Sequence, residues 1–181
     1  MAALNSKFDI LRGWPNSSAV QEDFVIGGTS THAHKAGTWV KLAATTDGTM
    51  KTDDANATSS ASQSCFLIIE GRDDLSARFD NRVTCLLGGG YMVRIPETYR
   101  DSDNVEVRCI KANEFANCTV GTKLLVEANV LAPATIAALD ADADDALNQA
   151  NDVASINNRA AVVGIVMAHN TDDNTIDVYV H

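Results

Sequence analysis

The sequence predicts an all-β protein: a compact antiparallel β-barrel or β-sandwich over residues 36–181, with an extended N-terminal arm over 1–35. One long acidic loop, 133–158, interrupts the β domain and has the spacing of a short helix within it. Three observations lead there. Short apolar runs alternate with polar residues, the pattern of strands with one face on a core. Gly, Asp and Asn punctuate those runs at intervals expected of turns. The last run, Thr175 to His181, sets Ile176, Val178 and Val180 against Asp177 and Tyr179, so it too reads as a strand.

The clearest stretch is Arg82 to Thr98, RVTCLLGGGYMVRIPET. Val83, Cys85 and Leu87 share one side of an extended chain, as do Tyr91, Val93 and Ile95. Gly88, Gly89 and Gly90 between them suit a tight turn or a bulged crossing. The expectation is a central pair of core strands.

Other elements follow in order. Residues 1–35 carry Phe8, Ile10, Leu11 and Trp14 without sustained periodicity, and loop chemistry at Asn16-Ser17-Ser18 and Gly27 to Thr31. Phe24, Val25 and Ile26 suffice for one short strand. The arm is expected either to order on a partner or to fold Trp14 back onto the domain, since an indole is a large apolar surface to leave in water. Gly37-Thr38 leads a β-prone run from Trp39 to Leu42, and Asp47-Gly48 is a hairpin signal. Asp53 to Gln63 is a polar loop, and Cys65 to Glu70 (CFLIIE) is apolar on both sides, as in a strand buried on two faces. Gly71 to Asn81 is a charged connection. Val105, Val107 and Cys109 alternate with Glu106 and Arg108. Gly121-Thr122 leads the run Lys123 to Glu127, a short echo of Gly37-Thr38. In the acidic loop, Ile136, Leu139, Ala143, Leu147 and Ala150 recur at helical spacing behind a candidate N-cap, Thr135. Asp140, Asp142, Asp144 and Asp145 weigh against a long helix.

Composition narrows the function. At 181 residues the chain suffices for one well-cored domain. A net charge of −10 disfavours nucleic-acid partners, which need their phosphates neutralised. No apolar run approaches a membrane span, and the first residues lack a signal-peptide pattern. Cys65, Cys85 and Cys109 lie in apolar runs and read as buried thiols, whereas Cys118, in a polar stretch, is the one expected at the surface.

Candidate chemistry is thin. Gly88 to Gly90 opens a strand and lacks the lysine of a phosphate loop. Asp140-x-Asp142-x-Asp144 begins like a calcium loop but has Asp145 where glycine belongs and Asn151 where glutamate belongs. His32 and His34 have ligand-like spacing without a Cys or His partner nearby. His169 and His181 lack a recognisable nucleophile. The reading is a non-enzyme: no catalytic residue, no cofactor and no metal.

Taken in sequence, the features form a recognisable series: the glycine-led strand Gly37 to Leu42, Asp47-Gly48, CFLIIEG, VTCLLGGGYMVRI, VGTKLLVEANVLAPA, the Ala- and Asp-rich loop, AAVVGIVMAH and TIDVYV. This series resembles the small β-rich decoration, or cement, proteins of tailed-bacteriophage capsids, over roughly 37–181. Asn129 stands where that family often has glycine in the second hairpin turn. The resemblance implies a structural virion protein, made in the host cytoplasm, that binds the outer capsid surface and stabilises contacts between major capsid subunits. Its implied partners are the major capsid protein and neighbouring copies of itself, as trimer or dimer, with no nucleic acid, membrane or cofactor. The residues expected to make capsid or subunit contacts are Phe8, Ile10, Leu11 and Trp14. A receptor- or carbohydrate-binding module of a phage tail or fibre is the alternative.

Overall fold

The computed structural model describes residues 10–13, 20–27, 34–43, 51–55, 65–71, 82–87, 90–101, 103–134 and 162–181. Within them the protein is built from strands, with one short 3-10 turn at Phe115–Asn117. Strands β2 (Val20–Ile26), β3 (Trp39–Leu42), β4 (Lys51–Asp54), β5 (Cys65–Glu70) and β6 (Arg82–Leu87) close a barrel in the order β2-β4-β3-β5-β6. Strands β1 (Ile10–Gly13), β7 (Tyr91–Pro96), β10 (Lys123–Glu127), β11 (Val130–Pro133), β12 (Gly164–Asn170) and β13 (Thr175–Val180) form a second sheet. Its order is β1-β7-β13-β12-β10-β11. A separate hairpin joins β8 (Thr98–Arg100) to β9 (Glu106–Arg108). The all-β fold class is as expected, and the architecture combines a closed barrel with an open sheet. Among the described strands, pairing is antiparallel except between β2 and β4, which run parallel, and an isolated parallel bridge joins Ile110 to Leu131 of β11.

Side-chain alternation explains why the two bodies stay together. Phe24, Val40, Ile68, Val83 and Cys85, one from each of several barrel strands or two positions apart, form a single buried cluster that fills the barrel. Phe24 and Phe66 stack there with centroids 6.2 Å apart. The alternate positions Trp39, Leu67, Ile69 and Leu86 point the other way. They pack with Tyr91, Val93, Ile95, Ile176 and Val178 of the open sheet in one shared core. CFLIIE is therefore apolar on both faces because β5 is a wall between two cores.

Two expectations change. β6 and β7 are not paired with each other: β6 lies between β2 and β5, and β7 between β1 and β13. The glycine link is a crossing from barrel to sheet, with Gly90 at φ 84° and its N–H donating to the Val180 carbonyl at 2.7 Å. Nor are residues 1–35 set apart from the β domain in the parts described. β1 pairs with β7, and β2 pairs with β6 from Val20 to Val25, closing the barrel. The physical reason is burial: Phe24 is in the barrel core, and without β2 the edges of β4 and β6 would be open. The expected helix in 133–158, the Asp47-Gly48 turn and the charged connection after Gly71 lie outside the described residues.

The Gly-Thr echo is structurally real. Lys35-Ala36-Gly37-Thr38 and Thr119-Val120-Gly121-Thr122 are the same turn, closed by Thr38 N–H to Lys35 O at 3.2 Å and Thr122 N–H to Thr119 O at 2.9 Å. Gly37 and Gly121 have φ of 82° and 88° at the third position, which the type II geometry requires. The first turn is tied down further. Lys35 Nζ meets Asp101 Oδ2 at 2.8 Å, and Tyr99 Oη donates to Ala36 O at 2.8 Å. The opposite Asp101 oxygen accepts from the Asp103 and Val105 N–H groups. The bond from Lys35, then those from the backbone of Val105 and Asp103, hold the Asp101 carboxyl below the usual carboxylate range.

The β10–β11 hairpin is pinned to the barrel through its own turn. Ala128 and Asn129 have φ of 48° and 67°, the left-handed pair of a two-residue hairpin turn. Buried Asn129 donates from Nδ2 to Trp39 O at 2.7 Å, while its carbonyl accepts from Trp39 N–H at 2.8 Å. Its own N–H reaches Ala55 O at 2.9 Å. Asparagine thus does here what glycine cannot, supplying both the backbone geometry and a side-chain bond.

Two outcomes are expected. Asn129→Ala leaves the buried Trp39 carbonyl unsatisfied and should lower unfolding free energy by about 1–3 kcal/mol in a urea titration. Asp101 has a folded-state pKa below its unfolded value of about 3.9, so its contribution is present at neutral pH and lost as pH falls through the folded pKa. The Tm gap between wild type and Asp101→Asn should therefore be wide at pH 7 and narrow toward pH 3 in thermal melts.

Candidate functional site

The residues expected to make contacts divide between described and undescribed parts. Phe8 and Trp14 lie outside the described residues. Ile10 and Leu11 belong to β1, the terminal strand of the open sheet. Ile10 is opposite Val93, Arg12 opposite Met92 and Gly13 opposite Tyr91, with a register shift between Ile10 and Arg12. The opposite end of the sheet is covered: Leu131 N–H donates to Cys109 O at 2.9 Å, and Lys111 N–H to Leu131 O at 2.7 Å. Main-chain pairing therefore covers the outer edge of β11 at Leu131.

The outward face of the open sheet carries the side chains that sequence alternation sends to solvent. Across one row, Met92 of β7 is opposite Tyr179 of β13, which is opposite Ile165 of β12, which is opposite Lys123 of β10. Tyr179 is 36% exposed, and Met167, at a register shift in β12, is 50% exposed. In the neighbouring row Arg94 Nε and Nη2 clasp Asp177 at 2.7 and 3.0 Å. Two further exposed apolar side chains, Val105 and Val120, lie outside the strands. Tyr179 was legible from the Asp177–Tyr179 alternation. Met167 was not, because the irregularity that exposes it has no signature in AAVVGIVMAH.

The histidine candidates fall in different settings. His34 is buried, in a left-handed conformation at φ 51°, and His32 lies outside the described residues. His169 packs edge-on against Phe115 with centroids 4.6 Å apart. His181 lies 6.3 Å from the Tyr179 ring, at a tilted angle. Among the described residues no group of three or more His, Cys, Asp or Glu side chains is placed to hold a metal ion, and no helix is long and apolar enough to cross a membrane.

The four cysteines are free thiols. Cys85 and Cys109 are buried as expected. Cys118 is buried too, contrary to the surface position its polar neighbours suggest: the 3-10 turn folds it inward, where Sγ donates to Glu114 O at 3.4 Å. Cys65, beside Lys41 on the neighbouring strand, is only partly covered. Burial pushes the Cys109 thiol up to about 12, and those of Cys65 and Cys118 up to about 11. All four are structural hydrophobes, so Ellman's reagent at pH 8 should label the native protein slowly, with Cys65 first. Rapid native labelling of Cys118 would contradict the burial described. No protein-family model, no curated protein and no solved structure matches this chain.

Proposed function

We propose that this chain is a non-catalytic structural protein of a tailed-phage virion, seated on the outer capsid surface, where it stabilises contacts between major capsid subunits. Its partners in this reading are the major capsid protein and neighbouring copies of itself. The observation that carries the proposal is the order of strand and turn motifs from Gly37 to Val180. The geometry supports it in one respect: β1, which holds Ile10 and Leu11, is the terminal strand of the open sheet. A terminal strand offers main-chain donors and acceptors to a neighbouring chain, and apolar side chains beside it add anchorage. Phe8, Ile10, Leu11 and Trp14 are the residues assigned to that contact.

Cosedimentation with emptied shells of the phage that encodes the protein tests this directly. The intact chain should pellet with shells and raise their melting temperature. A variant lacking residues 1–14 should stay in the supernatant while still unfolding cooperatively. Absence of binding by the intact chain overturns the function, and full occupancy by the truncated chain overturns the arm contact.

A further inference from the structure

The repeated Gly-Thr turn is the start of a longer repetition. Read through its antiparallel pairs, the barrel runs β4-β3-β5-β6-β2 and the open sheet β11-β10-β12-β13-β7. β2 precedes the first glycine-led strand in the chain as β7 precedes the second. The registers coincide as well. Trp39 is opposite Leu67 and Leu67 opposite Leu86, just as Lys123 is opposite Ile165 and Ile165 opposite Tyr179. Both bodies slip at the same place, between Ile68 and Glu70 against β6 and between Val166 and Ala168 against β13. The turn glycines bond alike: Gly37 N–H donates to Ile68 O at 2.7 Å, and Gly121 N–H to Val166 O at 2.8 Å. The Ile68 and Val166 N–H groups answer to Thr38 O and Thr122 O, each at 2.9 Å. Even the parallel closure of the barrel has a counterpart. Ile26 is opposite Thr52, and Gly27 N–H donates to Thr52 O at 2.9 Å. Ile110 is opposite Leu131 in a parallel bridge, and Lys111 N–H donates to Leu131 O at 2.7 Å. The positions that match barrel residues Phe24, Val40, Ile68, Val83 and Cys85 are Ile95, Leu124, Val166, Ile176 and Val178, and all five are fully buried. A shared strand order does not require a shared slip, since a bulge is a specific local feature and not a by-product of pairing.

We infer that the chain is a tandem pair of one five-stranded module, 20–87 and 91–180, and that the outer wall of the module is a surface for docking another module of its own kind. In the first copy that wall carries Trp39, Leu67, Ile69 and Leu86, all buried in the core shared with the second copy. In the second copy the same places carry Lys123, Ile165, Met167 and Tyr179, exposed or half-buried. A lysine stands where the indole anchors the first wall, so the second wall lacks the anchor for a third module. The β8–β9 hairpin is an insertion into the second copy. Its ends meet, because Cys109 N–H donates to Glu97 O at 2.9 Å, and Ile110 then takes the place that Ile26 reaches without a detour. The insertion clasps the two copies together through Tyr99 to Ala36 and Asp101 to Lys35, each at 2.8 Å.

The test compares the full chain with a variant lacking residues 98–108, in which Glu97 is joined to Cys109. The first copy closes without such an excursion, so the shortened chain should keep its β-type circular dichroism and melt cooperatively. Its Tm should fall, because the clasp is gone. A Tyr99→Phe, Asp101→Asn double variant loosens the clasp but keeps the excursion, and should also melt cooperatively below wild type. A shortened chain that fails to fold beside a folded double variant overturns the inference, since the excursion is then part of the second body's framework. Hydrogen exchange on the unaltered chain reads the repeat without any substitution. The Lys111 and Gly121 amides should be slowed to within about tenfold of their counterparts, Gly27 and Gly37. Free exchange at Lys111 and Gly121 beside protection at Gly27 and Gly37 overturns the inference whatever the variants do. If both variants fail to fold, this exchange comparison decides alone. None of these outcomes bears on the capsid reading.

Discussion

The constraint on which the structure turns is that β3, β5 and β6 have no solvent face along their middles. Each sends one set of side chains into the barrel and the other into the layer beneath the open sheet. Trp39, Leu67 and Leu86 are fully buried on the outside of the barrel wall, and Val40, Ile68 and Cys85 on the inside. Neither body can bury its apolar surface alone, because stripping the sheet away would put an indole and two leucines into water. At roughly 25 cal/mol per Å² of apolar area, and 150–250 Å² for an aromatic side chain, Trp39 by itself is worth several kcal/mol of cohesion.

Polar contacts then fix the angle that hydrophobic packing leaves loose. Asn129 brackets Trp39 from the β10–β11 turn through two hydrogen bonds, one to each side of the residue's backbone. Lys35 and Tyr99 do the same at the start of β3, linking the type II turn to β8 and to Asp101 just beyond it. These contacts join segments far apart in sequence, 90 residues for Asn129 and Trp39 and 66 for Lys35 and Asp101. They are partly or wholly removed from water, so each counts for more than the exposed Arg94–Asp177 clasp, whose worth is at most about 1 kcal/mol.

Much of this was written plainly in the residues. Alternation and apolar runs placed most strands from Trp39 onward but neither β1 nor β8, and β4 runs on through Asp53 and Asp54, where the sequence reads as the start of a loop; the double-sided CFLIIE run announced a two-core wall. The repeated Gly-Thr pairs marked identical turns. Partnership between strands was not legible. Nothing in VTCLLGGGYMVRI distinguishes a hairpin from a crossing, because glycine permits both and alternation is silent about which edge a strand will meet. The same blindness made 1–35 look like an arm: VQEDFVI has polar residues at its start, and its membership in the barrel is set by six positions of β6, sixty residues later. Cys118 misled for a related reason, since a 3-10 turn can bury one residue of a polar loop without any periodic signal. For the outward face, residue type and alternation were visible, but the Arg94–Asp177 pairing across β7 and β13 depends on a register that only the fold supplies.

The place of β13 has a consequence for how the protein is made. It is the last of the described strands in chain order, yet it lies inside the open sheet, between β7 and β12. Until it emerges from the ribosome, β7 and β12 have no partner on the edges that it will occupy. Synthesis at about 5–20 residues per second makes that wait several seconds for β7. The barrel, complete by Leu87, has time to form first and to shelter the nascent sheet on its outer wall. Threading a strand between two waiting neighbours then becomes the closing step, and an interrupted translation would release a chain with its stickiest edges bare.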